Sequence, residues 1–207
     1  MITLEKTEVY GWESAIRGMR NPLNSWHLSD STFDGEVKIG ENDHSLMMRL
    51  AKGRSSDSKY RRAILVSVDI TAPLYWWKEF DTYKIGTVAN SCSTMHKIHA
   101  KEFTIDDFSH EHLTERSLRL LKNCVVLELN YNRNLFLETK DKQYWHNMIQ
   151  LLPSSYNQKR TVYLNYEVLA AIYFDRRHHK LDEWHTFCDW IEKLPYSELI
   201  TVRRGSV

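Results

Sequence analysis

Glycine and proline are scarce in this 207-residue chain, at 7 and 4 residues. So few turn-formers count against a barrel or sandwich of many short strands, which needs frequent tight turns. Cysteine is scarcer still. Cys92, Cys124 and Cys188 cannot all pair within one chain, and no C-x-x-C spacing occurs, so neither a disulfide framework nor a zinc ribbon is indicated. A reducing compartment, the cytoplasm, is expected. Neither sign of charge is in excess: 28 Lys and Arg against 27 Asp and Glu leave a formal net charge of +1. That gives no global field for gripping a nucleic-acid polymer, although it leaves room for a local basic pocket. No segment approaches the ~18 apolar residues of a membrane span. The opening MITLEKTEVYGW also lacks the apolar stretch of a signal peptide. The phosphate signatures G-x-G-x-x-G and G-x-x-x-x-G-K-[ST] are missing, as are the G-x-S-x-G elbow and the H-E-x-x-H zinc pair. The histidine pairs His96/His99, His110/His112 and His178/His179 suit surface or loop positions, and no metal is expected.

What the chain does have is an ordinary globular balance, 42% hydrophobic and 27% charged, and an aromatic content of 12% with 11 Tyr and 7 Trp. Length and composition indicate a single domain over 1–207. The aromatics either fill the core or stack on a planar ligand. Residues 2–10 read as a short strand and 11–19 as a helix. Residues 20–40 read as a loop, and a helix follows over 41–52, with Asp43 able to cap it and Gly53 after its end. Residues 62–71 alternate most clearly, with Ile64, Val66, Val68 and Ile70 facing one way. Pro73 stands at a helix start. Residues 82–103 resist assignment. Helical spacing recurs over 112–137, 140–151, 163–176 and 182–194, and the tail TVRRGSV reads as frayed. The fold class is α+β: a small antiparallel sheet packed with several long helices.

Two polar groupings could carry chemistry. Residues 86–94 bring seven small or hydroxyl-bearing residues and the Asn90 amide together, which reads either as a polar surface loop or as a cradle for phosphate. Asn157-Gln158-Lys159-Arg160, Asn165 and Asp175-Arg176-Arg177-His178-His179-Lys180 form a second cluster, either surface charge or an anion-recognising set.

The order of these elements resembles the flavin-dependent thymidylate synthases. In that family a strand ends in an Ala-Pro helix start, followed by Arg-His-Arg-x-x-Ser-x-Asn-Glu-x-Ser-x-Arg. Here Ala72-Pro73 is followed at matching distance by Thr82-Tyr83-Lys84-Ile85-Gly86-Thr87, with Ala89, Asn90, Cys92 and Thr94 in the continuation. Ser14–Arg20 looks like the family's first helix. Asp57-Ser58-Lys59-Tyr60 is similar to a flavin-contacting segment. Leu152-Pro153, Gln158-Lys159, Asn165 and Arg176 or Arg177 ahead of Trp184 follow its C-terminal helices. The likeness spans residues 9–192. The motif itself is eroded: Thr82 and Tyr83 replace the first Arg and the His, and Ala89, Asn90 and Thr94 replace Asn, Glu and Arg. Cys92 replaces a serine and reads as a small filler.

The resemblance implies a homotetramer with FAD at subunit interfaces. It further implies NADPH as reductant, methylenetetrahydrofolate as carbon donor and hydride delivery to dUMP. Arg177, or Arg176 one step earlier, would be the catalytic arginine at the pyrimidine. Ser58, Lys59, Tyr83, Lys84, Thr87 and Asn165 would bind the cofactor, with Trp76 or Trp77 beside the flavin. Glu79, Asn90, Ser91, Cys92, Ser93, Thr94 and Lys159 would bind the nucleotide. The eroded motif leaves a second reading open, a non-catalytic or altered-specificity homologue that binds nucleotide or flavin.

Overall fold

The computed structural model describes residues 1–205. Four strands, β1 (Thr3–Tyr10), β2 (Leu65–Pro73), β3 (Val88–Ser91) and β4 (Asn157–Asn165), form one antiparallel sheet in the order β1-β2-β4-β3. The α+β class expected from the sequence is the class observed. Strand β2 buries Val66, Val68 and Ile70 as its alternation requires, and it extends through Pro73. The helices are α1 (Trp12–Arg20), α2 (Glu41–Lys52), α3 (Leu74–Phe80), α4 (Glu115–Leu120), α5 (Leu127–Thr139), α6 (Lys142–Leu151), α7 (Tyr166–Arg176), α8 (Asp182–Glu192) and α9 (Glu198–Thr201). No described helix is long and apolar enough to cross a membrane.

The chain divides into two compact units, one made of residues 1–3, 70–82 and 90–161, the other of 4–69, 83–89 and 162 onward. In the first, Ile98, Phe103, Phe108, Leu121, Val126, Leu129 and Met148 form a core on which Trp145 and Tyr156 pack. Helices α5 and α6 lie against each other there. Trp76, Trp77 and Phe80 of α3 pack mutually, with ring centres 5.0–5.4 Å apart. Both tryptophans are fully buried, so the expectation that either lies beside a flavin is corrected: their indoles hold α3 in place. In the second unit α7 contacts α8 and α9. Trp12 meets Tyr166 and Tyr196 edge-on, at 5.4 and 5.3 Å. The turn from β1 to α1 passes through Gly11 at φ +86°, where a Cβ would lie 2.0 Å from the Ala63 carbonyl oxygen. No other residue fits there.

Four sequence readings change. Strand β4 runs through Asn165, so 163–165 are not helical. The 112–137 helix is three pieces, α4, a π-helical stretch Leu121–Val126, and α5. The tail is not frayed as far as Gly205, whose N–H donates to the Lys52 carbonyl, while Arg204 reaches Ser58 and Glu167; Ser206 and Val207 lie outside the described residues. Asp43 does not cap α2, whose N-cap position is Gly40. It is instead a buried hub. Arg20 Nε donates to its Oδ1 at 2.6 Å, the Ser29 and Ser31 hydroxyls each donate to Oδ2 at 2.7 Å, and the Asp30 and Ser31 N–H groups also reach Oδ2.

Burial alone would raise the Asp43 carboxyl, but hydrogen bonds from Ser29, Ser31, Arg20 and the Asp30 backbone outweigh it and hold the group below its ordinary value. A depressed carboxylate contributes stability above its unfolded pKa and loses it as pH falls through the folded one. Asp43→Ala is therefore expected to cost about 3–5 kcal/mol, because it strands the buried Arg20 guanidinium. It should also flatten the acid limb of stability against pH. Urea denaturation of both proteins at neutral and acid pH checks this; equal midpoints would show that the hub is dispensable.

Candidate active site

In the second unit the segment 83–89 runs beside the α7 end. A β-region Asn165 starts α7 by accepting from the Glu167 and Val168 N–H groups at 3.1 Å. Gly86, at φ +80°, fits against this cap: a Cβ there would approach Val168 Cγ2 to 2.9 Å and the Asn165 amide nitrogen to 3.3 Å. The Thr87 hydroxyl bonds back to the Tyr83 carbonyl. Lys84 and Ile85 are exposed. At the other end of α7, Arg176 Nε donates to the Tyr83 hydroxyl at 2.8 Å, and that hydroxyl donates to Asp175 Oδ2 at 3.3 Å. The guanidinium carbon sits 5.5 Å from the Tyr83 ring centre and 4.8 Å from that of Trp184, cation–π distances that fix it between two rings. Burial raises the Tyr83 phenol, and the Arg176 hydrogen bond opposes that.

Arg177 is turned elsewhere. Its guanidinium lies 5.1 Å from the Tyr173 ring and lines a shallow cleft with His178, Cys188, Asp189 and Glu192. Burial pushes the Cys188 thiol up to about 11, so that thiol is not a ready nucleophile. Spacing left Arg176 and Arg177 interchangeable; the structure puts only Arg176 with the Tyr83 segment. Ser58, an expected flavin contact, is fully buried, and its hydroxyl donates toward the Ser55 carbonyl and Glu167. That is a correction: Ser58 has no surface to offer a ligand. Lys59 is exposed and lines a cleft of about 800 Å³ among α1, α2 and the 3-10 turn at Asp57–Arg62. Met19, Leu46, Leu50 and Tyr60 give it apolar walls, while Arg49 and Lys59 line it with positive charge.

In the first unit the expected nucleotide residues, Glu79 apart, lie on or next to β3 and β4. Asn90, Ser91, Cys92 and Ser93 are exposed and Thr94 is half-buried. The Cys92 N–H donates to the Lys159 carbonyl at 2.9 Å. Exposure of Cys92 corrects the filler reading. The Ser93 hydroxyl accepts from the Met95 and His96 N–H groups and so closes its own turn. Glu79 is half-buried on α3. Sequence reasoning missed how this edge is braced. Arg160 stacks 4.1 Å over Trp77, donates to Gln158 Oε1 at 3.0 Å and pairs with Asp81 at 2.8 Å. The Gln158 amide nitrogen donates to the Cys92 carbonyl at 2.7 Å. The signal was the alternation of Gln158 and Arg160, obscured by their polarity. Among the described residues no three His, Cys, Asp or Glu side chains are placed to hold a metal ion.

Searches by sequence find no match, either to a family model or to a curated protein. Solved structures do match. Two crystal structures of the flavin-dependent thymidylate synthase ThyX from Helicobacter pylori, each with FAD and dUMP, superpose with TM-scores of 0.69 and 0.70 at 18% and 16% identity. The first covers 95% of this chain and 98% of that one, the second 98% and 100%. The fold is that of the flavin-dependent thymidylate synthases. The UMP/dUMP methylase PolB from Streptomyces cacaoi, bound with 5-Br dUMP, is also similar, at TM-score 0.62 and 12% identity, covering 98% and 96%. At these identities the ThyX-like fold is shared while its signature side chains are largely replaced.

Tyr83→Phe removes the acceptor of Arg176 and is expected to lower stability by about 1 kcal/mol, read as a drop in urea midpoint at unchanged slope. An unchanged midpoint would show that the hydroxyl does not hold Arg176.

Proposed function

We propose that this chain is a flavin-dependent enzyme that transfers a one-carbon group to a pyrimidine nucleotide such as dUMP. Arg176 carries the reading: a guanidinium held between Tyr83 and Trp184, beside an exposed polar segment, is a preorganised charge of the kind a developing pyrimidine anion needs. Arg176, rather than Arg177, is taken as the catalytic residue. The cleft of about 800 Å³ falls within the range of small-ligand sites. Its apolar walls and the cations Arg49 and Lys59 fit a flavin dinucleotide, with Lys84, Tyr83, Thr87 and Asn165 as further contacts. Bound reduced flavin would supply the hydride, with NADPH as reductant and methylenetetrahydrofolate as carbon source.

The residues of this chain do the positioning. Lys159 offers a point charge to the nucleotide phosphate, without the two-pronged geometry of an arginine. Strand β3, at the sheet edge, offers backbone N–H groups along Asn90 and Ser91, flanked by Ser93 and Thr94. Glu79 and Cys92 complete the proposed nucleotide set. The chain acts as one domain in the cytoplasm and assembles as a homotetramer; the exposed Leu120, Leu127 and Tyr131 on α4 and α5 supply apolar surface for it. A second reading, a homologue of altered specificity, is favoured by one observation: Ser58 and Ser93 spend their hydroxyls on internal bonds.

The purified protein is expected to be yellow, or to gain thermal stability with added FAD and dUMP, since a ligand at 100 times its Kd adds about 2.7 kcal/mol. Tritium release from 5-tritiated dUMP should fall ~10²–10³-fold in Arg176→Ala and little in Arg177→Ala, with flavin retained in both. A colourless protein indifferent to both ligands would sink the enzyme reading, and the reverse order of the two arginine variants would sink the assignment of Arg176. Light scattering gives the oligomeric state; a monomer would refute the tetramer.

A further inference from the structure

Helix α9 ends at Thr201, and the chain runs on with only a bend and a turn. This short tail is tied down at two points. The Gly205 N–H donates to the Lys52 carbonyl at 2.8 Å. Arg204 donates to the Ser58 hydroxyl at 3.1 Å and pairs with Glu167 Oε1. Val202 and Arg204 thereby close one side of a cavity of about 400 Å³, opposite Arg61, Glu167 and Phe174. Both ties are shallow. The Arg204 side chain is 43% exposed, and ion pairs open to water contribute little. A single backbone bond near a chain end opens readily.

Beneath the tail lies a mismatch. Arg61 ends the 3-10 turn ahead of β2 and is completely buried. Its Nε has no hydrogen-bond acceptor. One terminal nitrogen reaches the Ala51 carbonyl only at 3.4 Å, and the other lies 3.7 Å from Glu167 Oε2. A buried guanidinium is ordinarily met at closer range. Glu167 is committed outward instead: Arg204 holds Oε1, and Oε2 accepts from the Ser58 hydroxyl. A carboxylate takes only one guanidinium in two-pronged fashion. Full pairing of Glu167 with Arg204 at the surface and with Arg61 in the interior are therefore alternatives. Exchanging a shallow pair for a buried one keeps the two arrangements close in free energy, as a switch requires.

We propose that the C-terminal tail is an autoinhibitory strap. It covers Ser58 and the cavity beside α7, and the flavin dinucleotide enters when the tail lifts and Glu167 passes from Arg204 to Arg61. The strap rests on the flavin reading above. It accounts for Ser58, a residue whose sequence context resembles a flavin contact but whose hydroxyl is occupied while the tail is down. A ligand that binds only the lifted form loses apparent affinity in proportion to that form's population.

Fluorescence titration of the full-length protein with FAD tests the strap. Arg204→Ala removes the surface partner of Glu167. Gly205→Pro removes the N–H that reaches Lys52 and leaves every charge in place. Each variant is expected to bind FAD about tenfold tighter or more, whereas Arg204→Lys stays near the unaltered protein. The sign is decisive for Arg204→Ala, because an arginine that merely held the cofactor's phosphates would weaken binding when lost. Hydrogen exchange of the C-terminal peptide gives a second readout: FAD at saturation should abolish the protection of the Gly205 amide. Affinity unchanged or lowered in either variant, or a tail still protected at saturation, overturns the strap and leaves the flavin reading standing. Absence of FAD binding in the unaltered protein and in both variants overturns the flavin reading and the strap with it.

Discussion

A carboxylate with no exposed surface must be met by donors on every side, and Asp43 is met by a guanidinium, two hydroxyls and two backbone N–H groups. Four of those five donors come from residues 29–31, part of a long connection that, beyond two short 3-10 turns, has little regular structure. Asp30 returns the favour by accepting from the Asn42 and Asp43 N–H groups at the start of α2. The pairing thus ties the connection after α1 to the first turn of α2. Arg20, Leu28 and Asn42 all line the large cleft. Without the buried carboxylate the wall of that cleft would lose five of the bonds that hold the loop, and a connection of that length closes only at an entropic cost.

Helix α7 performs the second ordering task. Its first residues are fixed by the Asn165 cap, which leaves the Gly86 turn one place to lie. Its last residues then separate two consecutive arginines. Successive helical positions point ~100° apart, so Arg176 enters the aromatic slot of Tyr83 and Trp184 while Arg177 faces Tyr173. One helix therefore sets the course of the proposed cofactor segment and chooses which guanidinium attends it.

Much of this architecture could be read from the residues. Strand β2 was legible because its apolar side chains alternate without interruption, and α1, α2, α6 and α8 because each carries an apolar stripe at helical spacing. Strand β4 was not legible. Asn157, Gln158, Lys159 and Arg160 look like a polar surface cluster, since Gln158 and Arg160 are used as hydrogen-bonding and stacking groups rather than as apolar core. The π-helical stretch was invisible because an extra residue in one turn leaves no mark in an already apolar run. At the proposed site, Tyr83 and Arg176 were named from the chain alone. Their mutual contact, and the role of Trp184, depend on residues about ninety positions apart and could come only from the fold. Ser58 shows the converse: a residue type that suits a ligand was consumed by a neighbouring carboxylate.

Gly86 bears on how such a protein diverges. Its positive φ and the closeness of Val168 exclude a side chain, whereas Lys84, Ile85 and Val88–Ser93 are exposed and can exchange side chains at little cost to stability. Selection on the fold therefore holds the backbone path at one point and leaves the neighbouring letters free. A recognition motif laid along this segment can be rewritten nearly in full while the strand it feeds keeps its register. Sequence comparison loses such a lineage well before shape comparison does.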